Sequence, residues 1–196
     1  MTCGGTTDAV RSATSWLRDA KRVDVAIYAA IAETATPSLD RPLSRLTQAA
    51  DYSRLWIGSA AILAVTRGPR GRRAAVTGLA AALVTSAVVN LLLKPFGRRG
   101  RPDQSNLPPE RRAPMPASTS FPSGHSATAF AFATGVGGVL PAEAIPIRAL
   151  ATLVAYSRVH TGVHYPADAL GGAFLGTTLA QVVIRALDRS RDSARF

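Results

Sequence analysis

Cysteine is almost absent. The 196-residue chain holds one, Cys3, so no intramolecular disulfide can brace it, and a lone thiol reads as an ordinary surface group. Histidine is scarce at 3, and Asp plus Glu number 12 against 23 Lys plus Arg. A hydrolytic metal site wants several carboxylates or histidines at ligand spacing, and the loops offer few, so no metal and no cofactor are expected. Residues 1–20 lack a continuous apolar core, so no cleavable signal peptide is expected. There is also no internal repeat and no second domain, as the length suits a single one.

Charge is missing from long stretches. Residues 74–93, AAVTGLAAALVTSAVVNLLL, carry none. Twenty residues at ~1.5 Å rise cover a ~30 Å hydrocarbon core. Ser126 to Ala142 and Ala169 to Ile184 lack Asp, Glu, Lys and Arg as well. Shorter apolar stretches fall at Leu55 to Thr66 and within residues 23–36 and 144–156. Together they predict an all-α, multi-spanning transmembrane bundle of about six spans. The stretches are rich in Ala, Gly, Ser and Thr, which lets helix backbones approach closely in lipid. A tightly packed bundle is the expectation.

The rest of the chain fits around that bundle. Residues 1–22 form an N-terminal surface segment in which Trp16 and Leu17 mix with Arg11, Arg18, Lys21 and Arg22, the pattern of an amphipathic helix at a membrane surface. Residues 23–187 are the membrane domain and residues 188–196 a basic tail. With six spans, 13 of the Lys and Arg side chains share one face with both termini and 10 lie on the other. Three of those ten are candidates for binding phosphate. The bias places the termini in the cytoplasm and two loops, Lys94 to about Phe121 and roughly Ser157 to Pro166, outside a cell membrane.

Three segments at span ends on that outer face carry chemistry. They are Lys94-Pro-Phe-Gly-Arg-Arg-Gly-Arg101-Pro102, then Phe121-Pro122-Ser123-Gly124-His125, then Ser157-Arg158 through His164 to Asp168. Lys94, Arg101 and Arg158 offer a fan of donors for a phosphate dianion. Ser123 can cap a helix, and Gly124 lets an anion approach the free N–H groups at its start. Pro166 can open the last helix with Asp168 in its first turn, so two helix starts are expected to face one anion. His164 and Asp168 are four apart, a spacing that lets the carboxylate fix the imidazole tautomer and free the other nitrogen to attack. His125 on the opposite wall can protonate a departing oxygen.

Quoted as Lys-x6-Arg-Pro, Pro-Ser-Gly-His and Ser-Arg-x5-His-x3-Asp, these residues resemble the three-part signature of the type 2 phosphatidic acid phosphatase superfamily over about residues 50–187. The resemblance implies a phosphohistidine on His164, oriented by Asp168, with His125 as acid and then base. It also implies phosphate binding by Lys94, Arg101, Ser123, Gly124 and Arg158. The family's soluble vanadium haloperoxidases lack membrane spans, so the apolar runs favour its lipid phosphatases. The stretch STSFPSGHSATAFAFATG is similar to actinobacterial members.

The expected activity is metal-independent hydrolysis of a lipid phosphate. Candidate substrates are phosphatidic acid, phosphatidylglycerophosphate, a polyprenyl phosphate or diphosphate, and a polyprenyl phosphoribose phosphate. A non-catalytic phospholipid-binding scaffold or transporter subunit is the alternative, and it would not need a nucleophile with its orienter. Nucleic acid is not an expected partner, because the charges sit between apolar spans rather than on one polar stripe. His160 falls outside the signature and reads as structural. Arg98, Arg99, Arg111 and Arg112 read as a solvated loop or as attraction for anionic headgroups.

Overall fold

In the computed structural model, residues 5–193 are described, with side chains from Ser15 onward. Cys3 and the side chain of Arg11 lie outside the described residues. Among these residues the secondary structure is helical, without strands. The helices are α1 (Gly5–Glu33), α2 (Pro37–Ala49), α3 (Arg54–Thr66), α4 (Gly68–Phe96), α5 (Gly124–Gly137), α6 (Ala144–His160) and α7 (Pro166–Ser193). Regular α-helix in α4 gives way to a π-helical turn at Val88–Leu93 and a 3-10 turn at Lys94–Phe96. Two helices, α4 and α7, are long and apolar enough to cross a bilayer by length and composition.

At the centre stands α5, packed against α4, α6 and α7, with α3 leaning on α4. Small side chains make this possible. A Cβ on Gly176 of α7 would lie 2.0 Å from the Ala127 carbonyl of α5, and one on Gly172 would lie 2.3 Å from that of Ser123. The two backbones therefore touch, as small-residue packing in lipid allows. One large contact complements them: Trp56 of α3 is buried and its ring lies 5.5 Å from that of Phe132 on α5. This packing fixes where α5 begins, and with it the position of His125.

The structure departs from expectation at the N-terminal side. Residues 8–22 are not a separate helix but the first part of α1, which runs unbroken through residue 22 to Glu33. Residues 37–49, which lie between the apolar stretches at 23–36 and Leu55 to Thr66, form α2. Pro37 begins it, where the missing N–H costs nothing. Its buried stripe is Asp40, Leu43, Ser44 and Thr47, a helical spacing made mostly of polar groups. A search for apolar periodicity passes over such a helix. That polar face has partners: Ser157 Oγ donates to Thr47 Oγ1 at 3.1 Å, and Asp40 Oδ1 lies 3.3 Å from His160 Nε2.

Candidate active site

A cavity of about 470 Å³ lies at one end of the bundle. Its walls bring together Lys94, Arg101, Gly124, His125, Arg158 and His164, drawn from all three sequence segments. Ser86, Asn90, Thr128 and Trp56 continue the wall along α3, α4 and α5.

His164 lies in the turn between α6 and α7 and is almost fully buried. Its Nδ1 faces Asp168 Oδ2 at 3.7 Å and Ser120 Oγ at 3.4 Å. The first distance is beyond a hydrogen bond, a spacing common in unliganded catalytic pairs. Ser120, buried beside them, donates to Asp168 Oδ2 and so joins carboxylate and imidazole. These partners assign the proton to Nδ1. Nε2 then carries the lone pair, 3.3 Å from Nη1 of Arg101. Burial, helped by the charges of Arg158 and Arg101, lowers the His164 pKa to about 4 against an opposing contribution from Asp168. Such an imidazole is neutral near pH 7, a form whose free nitrogen can serve as a nucleophile.

Asp168 is held from several sides. Its Oδ2 accepts from Tyr165 N at 2.8 Å and its Oδ1 from Arg99 Nη1 at 2.9 Å. Arg99 lies 4.4 Å over the Tyr165 ring and also pairs with Asp24 of α1. Asp24 in turn accepts from Ala167 N at 2.8 Å. The start of α7 is therefore satisfied by two carboxylates of the chain itself. The expectation that both of these helix starts face the substrate anion is corrected: of the two, α5 begins at the cavity, whereas no residue of α7 lines it.

Arg158 is the main unspent cation. Only 3% exposed, it donates from Nη1 to Thr47 Oγ1 at 2.9 Å, while its Nε has no partner. A buried guanidinium with a free N–H suits an incoming anion. Lys94 donates to Ser118 Oγ at 3.3 Å, and its Nζ is 3.6 Å from where a Cβ on Gly124 would stand. Glycine there keeps the α5 start open to both lysine and ligand. Arg101 divides its role, donating to the carbonyls of Ser118, Val163 and Thr119 at 2.9, 2.9 and 3.1 Å. Ser123 caps α5, accepting from Ser126 N at 3.4 Å. Its side chain is fully buried and does not line the cavity.

On the opposite wall His125 Nε2 lies 2.8 Å from Asp51 Oδ1. Sequence reasoning missed Asp51, because nothing in its local sequence marks it and its partner is 74 positions away. Ser120 and Arg99 were missed as a support for Asp168 for the same reason. The reading of Arg99 and Arg111 as solvated or headgroup-facing is corrected too. Arg111 is 1% exposed and donates to the carbonyls of Ile31, Ala32, Thr34 and His160. It ties the ends of α1 and α6 together. His160 is buried beside it, off the cavity wall, with Nε2 near Asp40 and Thr36.

Comparison with known proteins identifies the family. The family profile described as PAP2 superfamily matches residues 75–192. A decaprenylphosphoryl-5-phosphoribose phosphatase of Mycobacterium tuberculosis is 37% identical over 127 residues, covering 63% of this chain and 67% of that protein. Among solved structures, Aquifex aeolicus LpxE matches with a TM-score of 0.66 at 24% identity, covering 82% of this chain and 94% of the other. A transmembrane PAP2 type phosphatidylglycerolphosphate phosphatase from Bacillus subtilis matches at 0.62 and 26%, covering 88% and 87%. A profile spanning more than half the chain, on a helical fold that gathers the three signature segments around one cavity, makes this protein a member of the PAP2 superfamily.

Proposed function

We propose that this membrane lipid phosphate phosphatase works through a phosphohistidine on His164. The observation that carries the reading is the His164 imidazole, with Nδ1 turned to Asp168 and Nε2 turned to Arg101 at a cationic cavity. Lys94, Arg101, Arg158 and the free N–H groups at the start of α5 receive the phosphate, with Gly124 allowing the approach and Ser123 fixing the cap. His164 Nε2 attacks phosphorus in line as the bond to the leaving oxygen breaks. His125 delivers a proton to that oxygen, and the lipid alcohol leaves. His125, now neutral, takes a proton from water, whose oxygen attacks phosphorus as the N–P bond breaks. The chain's own cations balance the charge that develops, so no metal is required in these steps.

The substrate reading is a polyprenyl phosphoribose phosphate. Its support is the relative named for that activity and the polar wall of Ser86, Asn90 and Thr128 beyond the phosphate position, which suits a hydroxylated headgroup. The chain is placed in the membrane through α4 and α7, joined by α1, α3, α5 and α6 as further spans. The basic bias sets the cavity on the extracytoplasmic face and the termini in the cytoplasm.

The test is alkaline quenching and trapping of the acid-labile, base-stable phosphoenzyme from substrate radiolabelled in the transferred phosphate, using detergent-purified protein in chelator. The panel is polyprenyl phosphoribose phosphate, a polyprenyl diphosphate, phosphatidic acid and phosphatidylglycerophosphate. Label on His164 in wild type, absent in His164→Ala, is the expected result, with the phosphoribose lipid turned over fastest. Turnover by His164→Ala would remove the mechanism, and preference for another lipid would remove the substrate.

A further inference from the structure

His125 stands among cations. Arg158 of α6 and Lys94 of α4 share its cavity, and His164 faces it from the turn before α7. An imidazole so surrounded has little reason to hold a second proton, yet the acid role requires one. Among the described residues the carboxylate in contact with it is Asp51, at 2.8 Å from Nε2. Asp51 comes from none of the signature segments. It opens the short turn Asp51–Ser53 between α2 and α3.

That turn is held in an unusual conformation. Tyr52 and Ser53 have φ of 55° and 59°, two successive left-handed residues of which neither is glycine. Such geometry is sparsely populated and persists where its surroundings over-determine it. Here both flanks are fixed, since Ala50 is buried and Trp56 is locked against Phe132. The consequence is placement: the Asp51 carboxylate lines the cavity and meets His125 at the start of α5. Tyr52, 85% exposed, contributes no burial that would account for the strain.

We infer that Asp51 is a positioning residue for the general acid, countering the cations around His125 and orienting its ring toward the leaving oxygen. The inference rests on the phosphohistidine reading above and adds a second carboxylate–histidine pair to it. In the first half-reaction His125, paired to Asp51 through Nε2, gives the proton on Nδ1 to the leaving oxygen as the P–O bond breaks and His164 Nε2 bonds to phosphorus. In the second half-reaction the neutral ring recovers a proton from the attacking water. Asp51 keeps its charge throughout and touches no reacting atom.

A leaving group that needs no proton separates this role from a structural one. Decyl phosphate expels a basic alkoxide, whereas p-nitrophenyl phosphate expels a stabilised phenolate. Both are assayed in micelles with wild type, Asp51→Asn, His125→Ala and the double variant, beside His164→Ala. Asp51→Asn should lose on the order of 10²-fold in kcat on decyl phosphate and only a few-fold on p-nitrophenyl phosphate. In the His125→Ala background it should cost nothing further, and Asp51→Glu should recover part of the loss. Asp51→Ser, smaller than the native side chain, carries the same expectation should the Asn variant fail to fold. Equal losses on the two substrates, no loss on decyl phosphate, or a full additional loss in the double variant would overturn the role of Asp51 while leaving His164 as nucleophile. Activity of His164→Ala on either substrate would instead remove the reading beneath it.

Discussion

The two histidines of the cavity are supported in opposite ways. His164 is buried, and its carboxylate Asp168 is held by Ser120, the Tyr165 amide and Arg99, with Asp24 anchoring Arg99 from a second helix. His125 is a quarter exposed, and its carboxylate Asp51 is more than a third exposed on a two-residue left-handed turn. The nucleophile wall is over-determined, and the acid wall rests on one contact. The proposed mechanism gives the asymmetry a reason. In-line attack tolerates little error in the position of Nε2, so its supports are redundant. The acid must meet a leaving group that enters and departs, so its support sits at the open side.

Breaking the rigid wall should therefore cost most. Asp168→Asn keeps the shape but offers an amide where a carboxylate fixed the Nδ1 proton, and kcat should fall on the order of 10³-fold with little change in KM. Loss confined to KM would show that Asp168 serves binding rather than the nucleophile. Arg158 lies between the walls, with its unpartnered Nε available to phosphate. Arg158→Ala should reduce kcat/KM by about 10²–10³-fold and weaken vanadate inhibition in parallel. Inhibition unchanged in that variant would place Arg158 outside the phosphate site.

How far the sequence could be read follows the same division. Lys94, Arg101, Gly124, His125, Arg158 and His164 are fixed by spacing around helix ends, and one cavity gathers them. The apolar stretches of α4, α5 and α7 were legible because composition marks them. What was not legible is held by contacts distant in sequence. Asp51, Asp24 and Thr47 lie on segments whose pattern is polar or mixed, and their partners stand 74, 75 and 111 positions away. Likewise α2 buries Asp40, Ser44 and Thr47, so its helical period is written in residues that ordinarily signal solvent. Arg99 and Arg111 looked like loop charge because nothing local tells a buried guanidinium from a solvated one.

Arg99 offers a milder break of the rigid wall. It touches Asp168 but not the cavity, so Arg99→Leu removes an orienting contact and leaves the phosphate ligands in place. An outer contact of this kind is worth about 10–10²-fold. The expected result is a fall in kcat of that size with vanadate affinity unchanged. An equal loss in both would mean that Arg99 shapes the cavity itself.

The smallest effect is also the most direct probe of the buried wall. Burial lowers the His164 pKa, because desolvation disfavours the cation, and the value of about 4 lies well below that of a free imidazole. At pH 5 an ordinary histidine is only about 3% neutral, whereas one with a pKa near 4 is about 90% neutral. Only the neutral ring reacts with diethylpyrocarbonate, and His164, though buried, lines a cavity of about 470 Å³. Carbethoxylation of His164, read by peptide mass spectrometry, should therefore persist at pH 5 and decline only as the pH approaches 4. In protein unfolded with dodecyl sulfate the same peptide should lose reactivity below about pH 6.5, the range of an unperturbed imidazole. Identical profiles in the folded and unfolded protein would mean that the wall does not keep its nucleophile neutral. The contrast drawn between the two histidines would then reduce to geometry alone.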